Sequence, residues 1–168
     1  MERWRRIDLA PEAEARELLR LCCGAERWVD RMLARRPFTS GDEAVAAARE
    51  EWFALSPAEW HDAFGHHPRI GDVESLRTRF TAAASLSTRE QAGVSAALPE
   101  TLDALVEGNR AYEARFGYIF IVCAAGKRAD EMLALLRARL RNEPDVEIRL
   151  AAEEHARICE LRLLAAAP

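Results

Sequence analysis

Tyr118-Ile119-Phe120-Ile121-Val122-Cys123-Ala124 is the stretch on which the fold class turns. It is the one continuous apolar, β-branched run in the chain, and by propensity alone it reads as a buried strand. A buried strand needs a partner, because its backbone N–H and C=O groups must be satisfied. No second stretch offers one. The other segments are dominated by alanine, leucine, arginine and glutamate, all good helix formers. The run therefore reads as an extended buried segment or a helix turn. The chain reads as all-α: a single compact multi-helix domain over residues 1–168.

Helices are predicted on both sides of this run. Upstream, Leu102, Leu105, Val106, Asn109 and Tyr112 recur at helical spacing, which predicts a long helix from about Glu100. Ser87-Thr88-Arg89-Glu90 offers a capping box opening a helix toward Leu98, and another helix is expected from near Asp72. Downstream, Met132, Leu133, Leu136 and Leu140 share one face of a helix over 129–140. Asn142-Glu143-Pro144-Asp145 breaks it, and a last helix runs from Val146 to about Leu164. Nearer the amino terminus, Asp8-Leu9-Ala10-Pro11-Glu12 reads as a helix start capped by Asp8 or a neighbour, with Gly24 as its end. Trp28, Val29, Met32 and Leu33 mark the next helix, stopped by Arg36-Pro37-Phe38. Ser40-Gly41-Asp42 precedes an alanine-rich helix reaching about Phe53. Ser56-Pro57-Ala58-Glu59 is the strongest start signal, and its short helix ends near Phe64-Gly65.

Bulk properties exclude several classes. A length of 168 residues suits one domain. Net charge is -4, with arginines interleaved among glutamates, so no nucleic-acid partner is expected. No apolar run approaches the roughly 20 residues that span a bilayer, so no membrane partner is expected either. The amino terminus runs into charge at Arg3-Trp4-Arg5-Arg6 and does not read as a signal peptide. Four cysteines (Cys22, Cys23, Cys123, Cys159) form no CxxC pair and read as reduced, buried thiols of a cytoplasmic protein.

Three features can carry chemistry. His66-His67-Pro68 closes a predicted helix, and imidazole exchanges protons near neutral pH. Proline holds the backbone after His67 in place. Ser87, Glu90 and Gln91 gather a hydroxyl, a carboxylate and an amide, although a capping box explains the first two without function. In the last helix the inward stripe by spacing is Ile148, Ala151, His155, Ile158 and Arg162. An arginine there is either snorkelling at a helix end or clamping a carboxylate. His61, Asp62, His66, His67 and Asp72 lie close in sequence but lack HExxH or CxxC spacing, so no metal is expected. No GxSxG elbow, P-loop or GxGxxG is present.

Together these motifs resemble the OHCU decarboxylase family, which acts on 2-oxo-4-hydroxy-4-carboxy-5-ureidoimidazoline on the route from urate to allantoin. The resemblance runs through Trp28 with Arg36-Pro37-Phe38, His67-Pro68-Arg69-Ile70-Gly71, and Ser87 with Glu90-Gln91-Ala92-Gly93. It continues through Asn109, Tyr112 and Phe116-Gly117-Tyr118-Ile119-Phe120-Ile121. It ends with Arg139-Leu140-Arg141-Asn142 and Ile158 with Leu161-Arg162-Leu163. It implies an all-helical homodimeric lyase that needs no cofactor and yields (S)-allantoin. It implies His67 and Glu90 as catalytic residues. Pro68, Ser87, Gln91, Arg162 and the segment Ile119, Phe120, Ile121 and Val122 are implied as substrate-binding. Competing readings are an inactive helical binding module of the same fold, and a metal-dependent ureide hydrolase using His61, His66 and His67.

Overall fold

The computed structural model describes residues 1–67 and 91–166, and of residues 91–98 the backbone alone. The helix expected near Asp72 and the capping box at Ser87 and Glu90 lie outside the described residues. Among the described residues the secondary structure is helical, in order α1 (Arg3–Leu9), α2 (Glu12–Arg20), α3 (Glu26–Ala34), α4 (Gly41–Phe53), α5 (Pro57–Phe64), α6 (Gln91–Phe116), α7 (Ala129–Arg139) and α8 (Pro144–Leu164). The all-α expectation holds: residues 118–124 form neither helix nor strand. An isolated bridge pairs Glu2 with Ala166. By its contacts the chain divides into two units, residues 1–67 with 121–123 and 148–168, and residues 68–120 with 124–147.

In the first unit, caps set the element boundaries. The Ser40 hydroxyl accepts from the Glu43 N–H and starts α4. Ser56 and Glu59 complete a reciprocal capping box with Pro57 in the first turn of α5. The expectation for Asp8 is corrected. A short helix, α1, precedes it, and the Asp8 carboxylate accepts from the Phe38 N–H at 2.9 Å instead of capping α2. Pro11 stands at the N-cap of α2 without a side-chain bond. α1, α2, α3 and α4 pack in sequence, with α1 also against α4.

The core of this unit is fastened by indoles. Trp28 donates to the Ala48 carbonyl, Trp52 to Ala152 and Trp60 to Trp52, each at 2.9 Å. Each buried ring thus keeps its polar edge satisfied. The inward face of α8 is Ala151, Ala152, His155, Ala156, Cys159 and Leu163, all buried. This corrects the predicted stripe: Ile148, Ile158 and Arg162 are half-buried on its flank. Small residues let the helices approach closely, so alanine holds the centre and isoleucine the edge.

In the second unit α6 packs against α7. α6 runs unbroken through Pro99, where two helices were expected. Pro99 is exposed, so water can satisfy the carbonyl that its missing N–H abandons. At Gly108 an added Cβ would lie 2.5 Å from Leu136 Cδ2, so glycine sets the closeness of the α6–α7 contact. The core here is polar. Glu147 is fully buried and accepts from Arg139 Nε at 2.7 Å, from Asn142 Nδ2 at 2.7 Å, and from the Tyr112 hydroxyl. Arg139 also lies over the Phe120 ring, 4.8 Å from its centroid.

Removing one member of a buried ion pair strands the other charge and costs about 3–5 kcal/mol. Glu147→Leu is expected to destabilise the protein by that amount in urea unfolding. An unchanged midpoint would mean that Arg139 finds another anion or reaches water.

Candidate functional site

α5 ends in a tight turn made by Gly65, His66 and His67, whose N–H groups donate to Asp62, Ala63 and Phe64 at 3.0, 3.2 and 3.2 Å. Proline follows and cannot continue this ladder, so the two imidazoles stand where the helix stops. Their environments differ. His66 is exposed and lies over Gly24, where an added Cβ would be 2.6 Å from its Cγ. Gly24 therefore works as a seat for the turn, four residues beyond the end of the helix that it was expected to end.

His67 is half-buried and turned edge-on to His155, with ring centroids 4.9 Å apart and planes at 81°. His155 is fully buried and stacks on Trp52 at 4.0 Å with planes 16° apart. Its Nδ1 is 3.4 Å from Cys159 Sγ. The Cys159 thiol in turn lies 3.2 Å from the Cys22 carbonyl, which also accepts from Arg162 Nη1 at 3.0 Å.

Burial dominates the electrostatics. It holds the pKa of His67 down at about 4, helped by the positive field of Arg162 and by His66. His155 lies well below its ordinary value because of burial first, then His67 and Arg162. Both rings are therefore neutral at pH 7. Burial pushes the Cys22 thiol up to about 11 against the pull of Arg3 and Arg162, and holds Cys159 well above its ordinary value. The cluster is one of neutral rings and protonated thiols beside the guanidiniums of Arg3 and Arg162.

Of the residues singled out in the sequence, His67 and Arg162 fall in the first unit, close enough for one to shift the other's titration. Ile121 and Val122 are buried in the same unit, and the next N–H, that of Cys123, donates to Glu154 at 2.7 Å. Phe120 is buried in the second unit on Tyr112 and Arg139, and Ile119 is half-buried there. Gln91 is the first described residue of α6 and its side chain lies outside the described part. Pro68, Ser87 and Glu90 lie outside the described residues. Trp52 and Gly24 went unnoticed as neighbours of the histidine turn, and no local pattern announces such contacts. The His155–Cys159 pair did carry a signal, since residues four apart share a helix face.

The family model for OHCU decarboxylase matches residues 8–164. The chain belongs to this family. The chain is 32% identical over 128 residues to the 2-oxo-4-hydroxy-4-carboxy-5-ureidoimidazoline decarboxylase of Amia calva, covering 76% of this chain and 73% of that one. It is 35% identical over 145 residues to the uric acid degradation bifunctional protein TTL of Arabidopsis thaliana, covering 86% of this chain but only 44% of that protein. A crystal structure of an OHCU decarboxylase in the presence of (S)-allantoin superposes with a TM-score of 0.67 at 33% identity, over 86% of this chain and 92% of that one.

Among the described residues, the donor group compact enough for a metal is Cys23, His155 and Cys159, all buried, with ligand atoms within 4.8 Å of one another. It includes none of His61, His66 and His67, on which the hydrolase reading rested, and the first two of these are exposed.

The depressed histidines set a pH dependence of stability. Unfolded, each imidazole takes up a proton near pH 6.5; folded, His67 does so only near pH 4. Between these values the unfolded chain binds more protons, so unfolding becomes easier as pH falls. The urea midpoint is expected to hold above pH 6.5 and to drop toward pH 4, and His67→Gln is expected to flatten part of that slope. Identical slopes in both proteins would mean that His67 titrates as a solvated residue.

Proposed function

We propose that this chain decarboxylates 2-oxo-4-hydroxy-4-carboxy-5-ureidoimidazoline to (S)-allantoin during urate degradation. The observation that carries the reading is a neutral imidazole, His67, held in the field of Arg162 in a chain of this family. Residues 8–164 match one family model, which supports a single functional domain over residues 1–168. The family resemblance supports a homodimer, and four buried free thiols support the reducing cytoplasm.

The substrate's own chemistry makes the reaction accessible. Its carboxylate sits on a ring carbon that also bears a hydroxyl and adjoins a C=N bond. When carbon dioxide leaves, the bonding pair moves between the two ring carbons and the C=N pair moves onto nitrogen, which takes a proton. The imine is thus the electron sink. The hydroxyl proton then leaves, the carbonyl forms, and a proton arrives at the ureido-bearing carbon. One proton is consumed overall, and its delivery from one face sets the stereocentre.

Each residue has a part in this. Neutral His67 can accept the hydroxyl proton, which an imidazolium could not do. Glu90 shares the proton transfers with His67. Arg162 pairs with the carboxylate and the developing negative charge through a planar donor fork, with Gln91, Ser87, Pro68 and the 119–122 segment orienting the ring and ureido groups.

Circular dichroism during turnover of freshly generated substrate tests the proposal. Wild type is expected to form optically active allantoin rapidly, and His67→Ala is expected to lose on the order of 10²–10⁴ in kcat. Slow racemic product from both proteins would mean spontaneous decay alone and would sink the enzyme reading. Arg162→Lys is expected to raise KM by about tenfold, because an ammonium replaces the two-point fork. With His67 neutral down to about pH 4, kcat/KM is expected to stay level from neutral pH through 6.5.

A further inference from the structure

His155 is a costly residue to keep in its place. It is fully buried, and its Nε2 has no hydrogen-bond partner among the described residues. A buried acceptor left unpaired is destabilising, and an apolar ring of similar size would stack on Trp52 without that cost. The other ring nitrogen is accounted for. Cys159 directs its S–H to the Cys22 carbonyl, so its sulfur meets His155 Nδ1 as an acceptor. With the S–H so used, Nδ1 is the nitrogen that carries the proton of His155, and Nε2 is a bare acceptor. Trp52 on one face and Cys159 at the edge fix the ring in this orientation. The nearest imidazole is His67, its centroid 4.9 Å away and its plane at 81°. Two imidazoles at that separation are within a small ring rotation of an N–H···N bond, and perpendicular planes are compatible with one.

We propose that His155 is a positioning residue for His67: its bare Nε2 receives the His67 N–H and so fixes which nitrogen of His67 faces the substrate as the base. The proposal rests on the assignment of His67 to proton transfer. The surrounding charges agree with it. Among the described residues, Arg162 on α8 and His66 on the α5 turn are the charged or titratable groups that act on His67, and Arg162 and His67 those that act on His155. All of them favour two neutral rings over an imidazolium pair. A hydrogen bond between neutral imidazoles is then what remains to orient the catalytic one.

The test combines spectroscopy with kinetics. In protein labelled with ¹⁵N-histidine, long-range ¹H–¹⁵N spectra report the tautomer of each ring without substrate. Wild type is expected to show one neutral tautomer of His67, and His155 protonated on Nδ1. His155→Phe keeps the stack on Trp52 but removes the acceptor. It is expected to give a mixture of His67 tautomers and a kcat lower on the order of 10- to 100-fold, with KM little changed. His155→Gln restores an acceptor and is expected to recover the single tautomer and most of the turnover. A residue that merely fills space would be replaced by phenylalanine without loss. A tautomer mixture in wild type, or a single tautomer and full kcat in His155→Phe, would overturn the proposal. The wild-type spectrum decides even where a variant fails to fold. Full activity in His67→Ala would remove the catalytic role of His67 instead, a result that the spectra do not depend on.

Discussion

The stack of His155 on Trp52 is the contact from which the arrangement of the first unit follows. Two flat rings 4.0 Å apart fix the separation of α4 and α8. The indole N–H, bonded to the Ala152 carbonyl one turn earlier on α8, fixes rotation as well. A helix held in distance and rotation has no freedom left in what its other residues face. Ala151, Ala152 and Ala156 turn inward, where only small side chains fit. Cys159 follows one turn after His155, and Arg162 comes to the flank, where its guanidinium reaches the Cys22 carbonyl while remaining partly in water. The histidine turn after α5 then closes on a surface whose chemistry is already decided.

The second unit solves a different problem with a different device. Among the described residues, charges pair on exposed faces, as in Arg20 with Glu26, Arg27 with Glu59 and Arg35 with Glu50. Such pairs are each worth about 0–1 kcal/mol and fade with salt. Glu147 differs from these. It is fully buried, and donors from α6, from α7 and from the turn after α7 converge on it. One carboxylate therefore specifies where three pieces of chain meet, and many surface pairs do not replace it.

Legibility in the sequence tracked the range of the interaction. α4 and α5 were readable because their starts are made by Ser40 and by Ser56 with Glu59, all within one turn of the helix they begin. α1 was not, because Glu2 caps nothing with its side chain and Asp8 is used by Phe38, thirty residues away. The join at Pro99 misled, since exposure makes an internal proline tolerable and exposure is not written locally. On α8, large residues drew the predicted stripe to Ile148 and Ile158, whereas close helix approach selected the alanines. His67 and Arg162 could be picked out from type and motif. The stack, the thiol beneath it and the glycine seat at Gly24 belong to tertiary structure and have no short-range signature.

The two units also differ in their chromophores. All four tryptophans, Trp4, Trp28, Trp52 and Trp60, belong to the first unit, and so do all four thiols. Both tyrosines, Tyr112 and Tyr118, belong to the second. Indole emission and thiol accessibility therefore report on one half of the molecule, and phenolic absorbance on the other. Without any label, the natural protein carries separate optical channels for its two halves, and their coincidence or divergence on unfolding measures how far the halves cooperate.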